Sequence, residues 1–239
     1  MFESLSDRLQ SALGGLRGKG KLTEDAKSEV LARLSGATER EALADVDLVV
    51  EAIAEQLDLK TELYRDLDRI CKDGAILATT TSSLPIKDLA AVTQRPQDVI
   101  GMHFFNPAPV MKLVEVIHTD ETGEDVKATV HDLCRRTKKV AVSCADRSGF
   151  IVNALLFPYL NDAILLVDSG AVTQDEVDEA ITSTYGYPMG PFGYIDQLGA
   201  DHVLDVQSEL FGATQDPGLA PAAALVDAAV LDLPVRELA

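Results

Sequence analysis

Apolar residues change their spacing twice along this chain, and each change marks a new kind of structure. Leu5, Leu9, Leu13 and Leu16 recur at helical spacing, pause at Gly18 to Gly20, and give way to Val30, Leu31 and Leu34, which predicts helices over residues 1–40. Thr23, followed by Glu24 and Asp25, has the chemistry of an N-cap with an acidic first turn. From Asp47 short apolar runs take over. DLVVEAI is rich in β-branched residues, as expected of a strand buried on both faces of a parallel sheet, and GAILATTT from Gly74, VIGMHFF from Val99, LVEVI from Leu113 and KKVAVSC from Lys138 repeat the pattern. Helical periodicity fills Gln56 to Ile70, a short stretch from Pro85, and Glu124 to Thr137, so strands and helices alternate and the fold class is α/β. The alternation stops near Asp146. Beyond it GFIVNALLFPYLNDAILLVDSG reads as one long helix, Thr173 caps a second, and Gly190 with Pro191 opens a third that runs on to Gly212. The Ala-rich tail from Ala213 contains Pro217, Pro221 and Pro234, which argue against long regular elements there. The chain thus divides into a helical lead segment (1–45), a sheet domain (46–145) and an all-α C-terminal domain (146–239).

Composition narrows the function. Hydrophobic residues are 46% and charged residues 25% of the 239, an ordinary globular balance. No apolar run reaches the roughly 20 residues that span a bilayer, and Glu3 interrupts any secretory leader, so a cytoplasmic protein with no membrane partner is expected. A net charge of −18 argues against nucleic acid as a partner, and any anionic ligand needs a local basic pocket. The three cysteines, Cys71, Cys134 and Cys144, have neither the even count of a disulfide scaffold nor the C-x-x-C spacing of a zinc site. They read as buried free thiols, and no metal is expected.

Three polar residues stand where apolar strands should end, the place where open α/β sheets bind ligands. Ser82 follows GAILATTT, His103 lies near the end of VIGMHFF, and Glu115 sits inside LVEVI. A carboxylate in a buried strand needs a partner. If the turn at Pro107 to Pro109 sets the two strands side by side, Glu115 can hydrogen-bond one nitrogen of His103, fix its tautomer and make it a general base. From spacing alone a satisfied core histidine beside a structural carboxylate is the favoured reading, and only the surrounding motifs reverse that order.

HFFNPAPVMKLVEVI from His103, TSSLPI from Thr81, DRSGFIVNALLFPYLNDA from Asp146 and YGYPMGPF from Tyr185 together resemble the 3-hydroxyacyl-CoA dehydrogenase family, in order and spacing, over about Gly18 to Gly212. The resemblance implies a partial Rossmann-like sheet followed by an all-α C-terminal domain that forms a homodimer. It implies NAD-dependent oxidation of (S)-3-hydroxyacyl-CoA to 3-oxoacyl-CoA in fatty-acid metabolism. By the same resemblance His103 takes the proton of the substrate hydroxyl, Glu115 orients His103, and Ser82 and Asn153 contact the acyl-CoA substrate. Glu55, Lys60, Ser82 and Asn106 touch the nicotinamide half of NAD; without the resemblance a solvated helix charge for Lys60 and a turn asparagine for Asn106 are equally open readings. Related β-hydroxyacid dehydrogenases use a lysine in place of the His–Glu pair, and HFFNP and KLVEVI speak against them. The chain departs from the family at Arg147-Ser148, where x-Pro is usual, at Ala154 after the GFIVN asparagine, and at Thr80 before TSS.

The pyrophosphate of a dinucleotide is held by a strand, a G-x-G-x-x-G turn and a helix N-terminus. No G-x-G-x-x-G occurs here; Gly14, Gly15, Gly18 and Gly20 follow a helical stretch and read as helix breakers. The family's first strands and its closing G-x-K-x-G-x-G-F-Y segment are not found, so a chain truncated or replaced at both ends is expected, with weakened NAD binding. MFESLSDRLQSALGGLRGKGKLTED also resembles the opening of the helical N domain of the signal-recognition-particle GTPase, but no P-loop follows and GTP binding is not expected. The alternative to an enzyme is an inactive remnant that binds acyl-CoA or serves as a dimerisation module.

Overall fold

The computed structural model describes residues 24–238. The expected helix over Leu5 to Leu16 and the Thr23 cap lie outside them. Helix α1 (Glu24–Leu31) forms as expected, but the helical reading fails over residues 32–39, where Leu34 finds no core and stays 49% exposed. Strand β1 (Leu48–Glu51) opens the sheet, followed by α2 (Leu57–Ile70), β2 (Ile76–Thr79), α3 (Ile86–Ala90), β3 (Val99–Phe104), β4 (Leu113–His118), α4 (Glu124–Arg136) and β5 (Val140–Ala145).

The strands lie in the order β1-β2-β3-β4-β5. The sheet is parallel except at one joint, where the turn at Pro107 to Pro109 sets β3 and β4 side by side and antiparallel. Residues 105–112 are too few for the crossover of a dozen or more residues that a parallel pair requires, so the chain must turn straight back. That reversal puts His103 opposite Glu115.

Side-chain alternation along the strands assigns the two faces. Leu77, Val99 and Ile117 point to the side covered by Tyr64 and Leu67 of α2, by Ile86 and Leu89 of α3, and by Phe150. Ile76, Ile100, Met102, Val114 and Val116 point to the other side, under Val126, Val130 and Cys134, which recur every four residues along α4. Gly101 lies on the first face, where an added Cβ would come within 2.9 Å of the Ile117 Cβ, so only glycine lets β3 and β4 keep this register.

After β5 the chain is helical: α5 (Val152–Asp168), α6 (Gln174–Tyr185), α7 (Pro191–Leu198), α8 (Ala200–Thr214) and α9 (Ala223–Leu231). Thr173 caps α6 in a full capping box with Glu176. The single helix expected from Pro191 to Gly212 is two, broken at Gly199, whose φ of +90° no helix accommodates. The tail is also more regular than its prolines suggest. Buried Asn161 on α5 donates to Ala220 O at 3.0 Å and accepts from Ala222 N at 2.8 Å, and Gln207 on α8 donates to Leu219 O at 2.7 Å. These bonds seat α9, whose Leu225 and Ala228 complete the helical core. Arg236 then forks onto Asp175, Asp178 and Asp196 and ties the last turn to α6 and α7.

Cys71 and Cys134 are buried free thiols as expected, whereas Cys144 is only partly buried. Burial raises the pKa of all three, that of Cys144 to about 11 with help from the Glu115 and Asp146 carboxylates, so none is an activated thiolate. Among the described residues no His, Cys, Asp and Glu cluster could hold a metal, and no helix is long and apolar enough to cross a membrane.

Candidate active site

Because β3 and β4 pair antiparallel in this register, the side chains of His103 and Glu115 emerge directly opposite each other on the same face. His103 Nδ1 and Glu115 Oε2 are 2.6 Å apart, both side chains nearly fully buried. The other carboxylate oxygen, Oε1, accepts hydrogen bonds from the backbone of Ile151 at 3.0 Å and of Val152 at 2.8 Å, at the start of α5. Burial pushes the Glu115 pKa up. The bonds from His103, Val152 and Ile151 outweigh it and leave the group below its ordinary value, so Glu115 is a carboxylate at neutral pH. An ionised acceptor on Nδ1 requires the proton there, which leaves Nε2 as the basic nitrogen. Nε2 has no partner among the described residues. The ring is held between Phe105, with centroids 4.7 Å apart, and Phe150, at 5.5 Å.

The bond from Glu115 to α5 depends on the turn before it. Gly149 has φ +69°, and a Cβ there would meet Leu210 Cδ2 at 2.6 Å and Ala154 N at 2.8 Å. That turn places Asn153 one residue beyond the pinned Val152 amide.

A second group gathers at the carboxyl ends of the parallel strands β1 and β2. Glu55 accepts from the Thr81 hydroxyl, from Ser82 N at 2.9 Å and more loosely from the Ser83 hydroxyl at 3.4 Å, and Lys60 Nζ stands 3.3 Å away. Burial opposes ionisation of Glu55, but Thr81, Ser82 and Lys60 prevail and lower its pKa. Lys60 is 1% exposed, which corrects its reading as a solvated helix charge. It occupies the buried stripe of α2 with Tyr64 and Leu67 and bonds Glu51 Oε1 at 2.7 Å, while Glu51 Oε2 accepts from Thr79. Breaking such a buried pair costs about 3–5 kcal/mol, so Lys60 cannot leave this position. Glu51 escaped the sequence reading although the rule that exposed Glu115 applies to it: a carboxylate in an apolar strand needs a partner.

Asn106 lies on the exposed loop after β3, and its side chain, like those of Ser82 and Asn153, has no hydrogen-bond partner among the described residues. The structure thus joins His103 to Glu115, and Glu55 to Lys60 and the Ser82 backbone, and leaves Ser82 Oγ, Asn106 and Asn153 as unpaired polar groups near them. For a dinucleotide the fit is one-sided. The ends of β1, β2 and β3 offer anchored Glu55 and free hydroxyl and amide groups to a nicotinamide, but no strand-to-helix turn among the described residues carries the glycine pattern that seats a pyrophosphate.

Comparison with known proteins identifies the family. The family model described as 3-hydroxyacyl-CoA dehydrogenase, NAD binding domain, matches residues 1–147, so it takes in the opening segment that also resembles a GTPase, and the model of the same family's C-terminal domain matches residues 149–232. A 3-hydroxybutyryl-CoA dehydrogenase of Clostridioides difficile is 41% identical over 203 residues, 85% of this chain and 72% of that protein. A probable 3-hydroxybutyryl-CoA dehydrogenase of Bacillus subtilis is 42% identical over 214 residues, 90% of this chain and 75% of that protein. The crystal structure of (S)-3-hydroxybutyryl-CoA dehydrogenase from Ralstonia eutropha superimposes with a TM-score of 0.89 at 36% identity, covering 95% of this chain and 80% of that one. With both of its domain models matched in order, the chain belongs to the 3-hydroxyacyl-CoA dehydrogenase family, whose cofactor is NAD.

Proposed function

We propose that the protein oxidises (S)-3-hydroxyacyl-CoA to 3-oxoacyl-CoA with His103 as the general base. The observation that carries this is the 2.6 Å bond from His103 Nδ1 to a carboxylate whose other oxygen is already held by α5, since it leaves Nε2 basic and immobile. His103 Nε2 takes the proton of the 3-hydroxyl, and Glu115 compensates the charge that the ring gains. A bound NAD would supply the acceptor for the hydride of C3. The Ser82 hydroxyl and the Asn153 amide donate to the oxygen as it becomes a carbonyl, and Glu55, Ser82 and Asn106 bound the nicotinamide, with buried Lys60 behind them holding the Glu55 carboxylate. The names of the relatives support a four-carbon acyl group, and the reaction itself would place the protein in fatty-acid metabolism. Loss of NADH absorbance with acetoacetyl-CoA tests the reading in the reverse direction. Turnover at millimolar NADH is the expected result, and none at any NADH concentration would leave the inactive acyl-CoA-binding remnant, which the missing glycine-rich turn favours.

The working form in this reading is a cytoplasmic homodimer joined through the helical region. Its support is the apolar surface left there: Leu155 is 69% and Val230 76% exposed, and Leu166, Tyr185 and Tyr187 are exposed with them. Light scattering at micromolar concentration should return twice the 25.6 kDa chain mass, and a strictly monomeric mass would contradict the assembly.

A further inference from the structure

We propose that Lys139 is a positioning residue for the reaction: its ammonium staples the β3–β4 loop and so fixes Phe105, which packs on the His103 ring, and Asn106, which follows it on the loop. The proposal rests on the reading of His103 as the base. Lys139 Nζ donates to the carbonyl of Ala108 and, at 2.7 Å, to that of Met111. Among the described residues it is the sole side chain from outside the loop that hydrogen-bonds residues 105–112. The loop's own bonds are Val110 N and Met111 N to Pro107 O, at 2.9 and 3.0 Å, which close a turn but do not tie that turn to the rest of the protein.

The base of the lysine is itself immobile. Lys139 N donates to Cys134 O at 2.8 Å in the last turn of α4, and Val140 N donates to Lys112 O at 2.8 Å, joining the first residue of β5 to the last of the loop. The ammonium is therefore presented from a rigid corner to a loop that solvent surrounds, since Asn106, Pro107, Pro109, Val110 and Met111 are all exposed. That exposure separates positioning from stability. Carbonyls released by loss of the lysine can take water at little cost to folding, whereas Asn106 and the Phe105 ring, 4.7 Å from His103, lose their fixed geometry. Small displacements near reacting groups cost rate steeply, so Lys139→Met should lower kcat about 10-fold with little change in the KM for acyl-CoA.

Two measurements on the full chain decide it. Amide exchange followed by mass spectrometry should be faster over Val110 and Met111 in K139M than in the unaltered protein, with the thermal midpoint nearly unchanged. In the acetoacetyl-CoA assay K139M should lose kcat, and K139R, whose guanidinium can also donate to two carbonyls, should recover most of it. Unchanged exchange over the loop, or K139M with the full kcat, overturns the proposal. If the unaltered protein shows no turnover, it is the proposed function that fails, and loop exchange alone then decides the role of Lys139.

Discussion

Replacing His103 by glutamine should lower the turnover of acetoacetyl-CoA with NADH by about 1,000-fold, within the range that a positioned general acid or base contributes. Glutamine is the informative choice because its amide can still donate to Glu115, so the buried carboxylate keeps a partner and the fold survives. Alanine would strand that carboxylate, and a buried charge that loses its partner costs about 3–5 kcal/mol, so H103A should lose thermal stability as well as activity. The comparison therefore separates proton transfer from structure: H103Q silent but stable is the expected pair, measured by NADH absorbance and thermal denaturation. H103Q with more than a tenth of the original rate would mean that another group takes the proton.

The second large effect is on the cofactor. In the family's binding mode the pyrophosphate accepts charge-assisted bonds at a glycine-rich turn, and this 239-residue sequence contains no G-x-G-x-x-G. Losing two or three bonds worth about 1.5–3 kcal/mol each weakens binding by roughly two to six orders of magnitude. Calorimetry on the chain should give a Kd for NAD far weaker than micromolar, with acyl-CoA binding less affected because Ser82 and Asn153 remain. A micromolar Kd for NAD would show that other residues of the chain seat the diphosphate.

These expectations differ in how far the sequence alone supports them. The dyad could be read from the strand pattern, since an acidic residue in LVEVI and a histidine at the end of VIGMHFF both break an apolar run, and a buried charge must find a partner. The same logic reached Glu115 and passed over Glu51, because nothing along the chain says that Lys60, Glu51 and Thr79 meet. Lys60 looks like any helix lysine until α2 is laid on the sheet, where its position on the Tyr64 and Leu67 stripe turns it inward.

What the sequence determined by itself is therefore local and periodic. The alternation of strands and helices up to Ala145, the capping box at Thr173 and the change to helices afterwards follow from spacing and from the chemistry of a few neighbouring residues. Tertiary structure decided what depends on contacts between distant residues. It set the antiparallel joint that faces His103 with Glu115, and the attachment of Glu115 to the start of α5 some 36 positions later. It also set the seating of the proline-rich tail on Asn161 and Gln207. The physical reason is common to these cases: a buried polar group is satisfied by whatever donor or acceptor the fold brings to it, and the identity of that partner is a property of three-dimensional proximity.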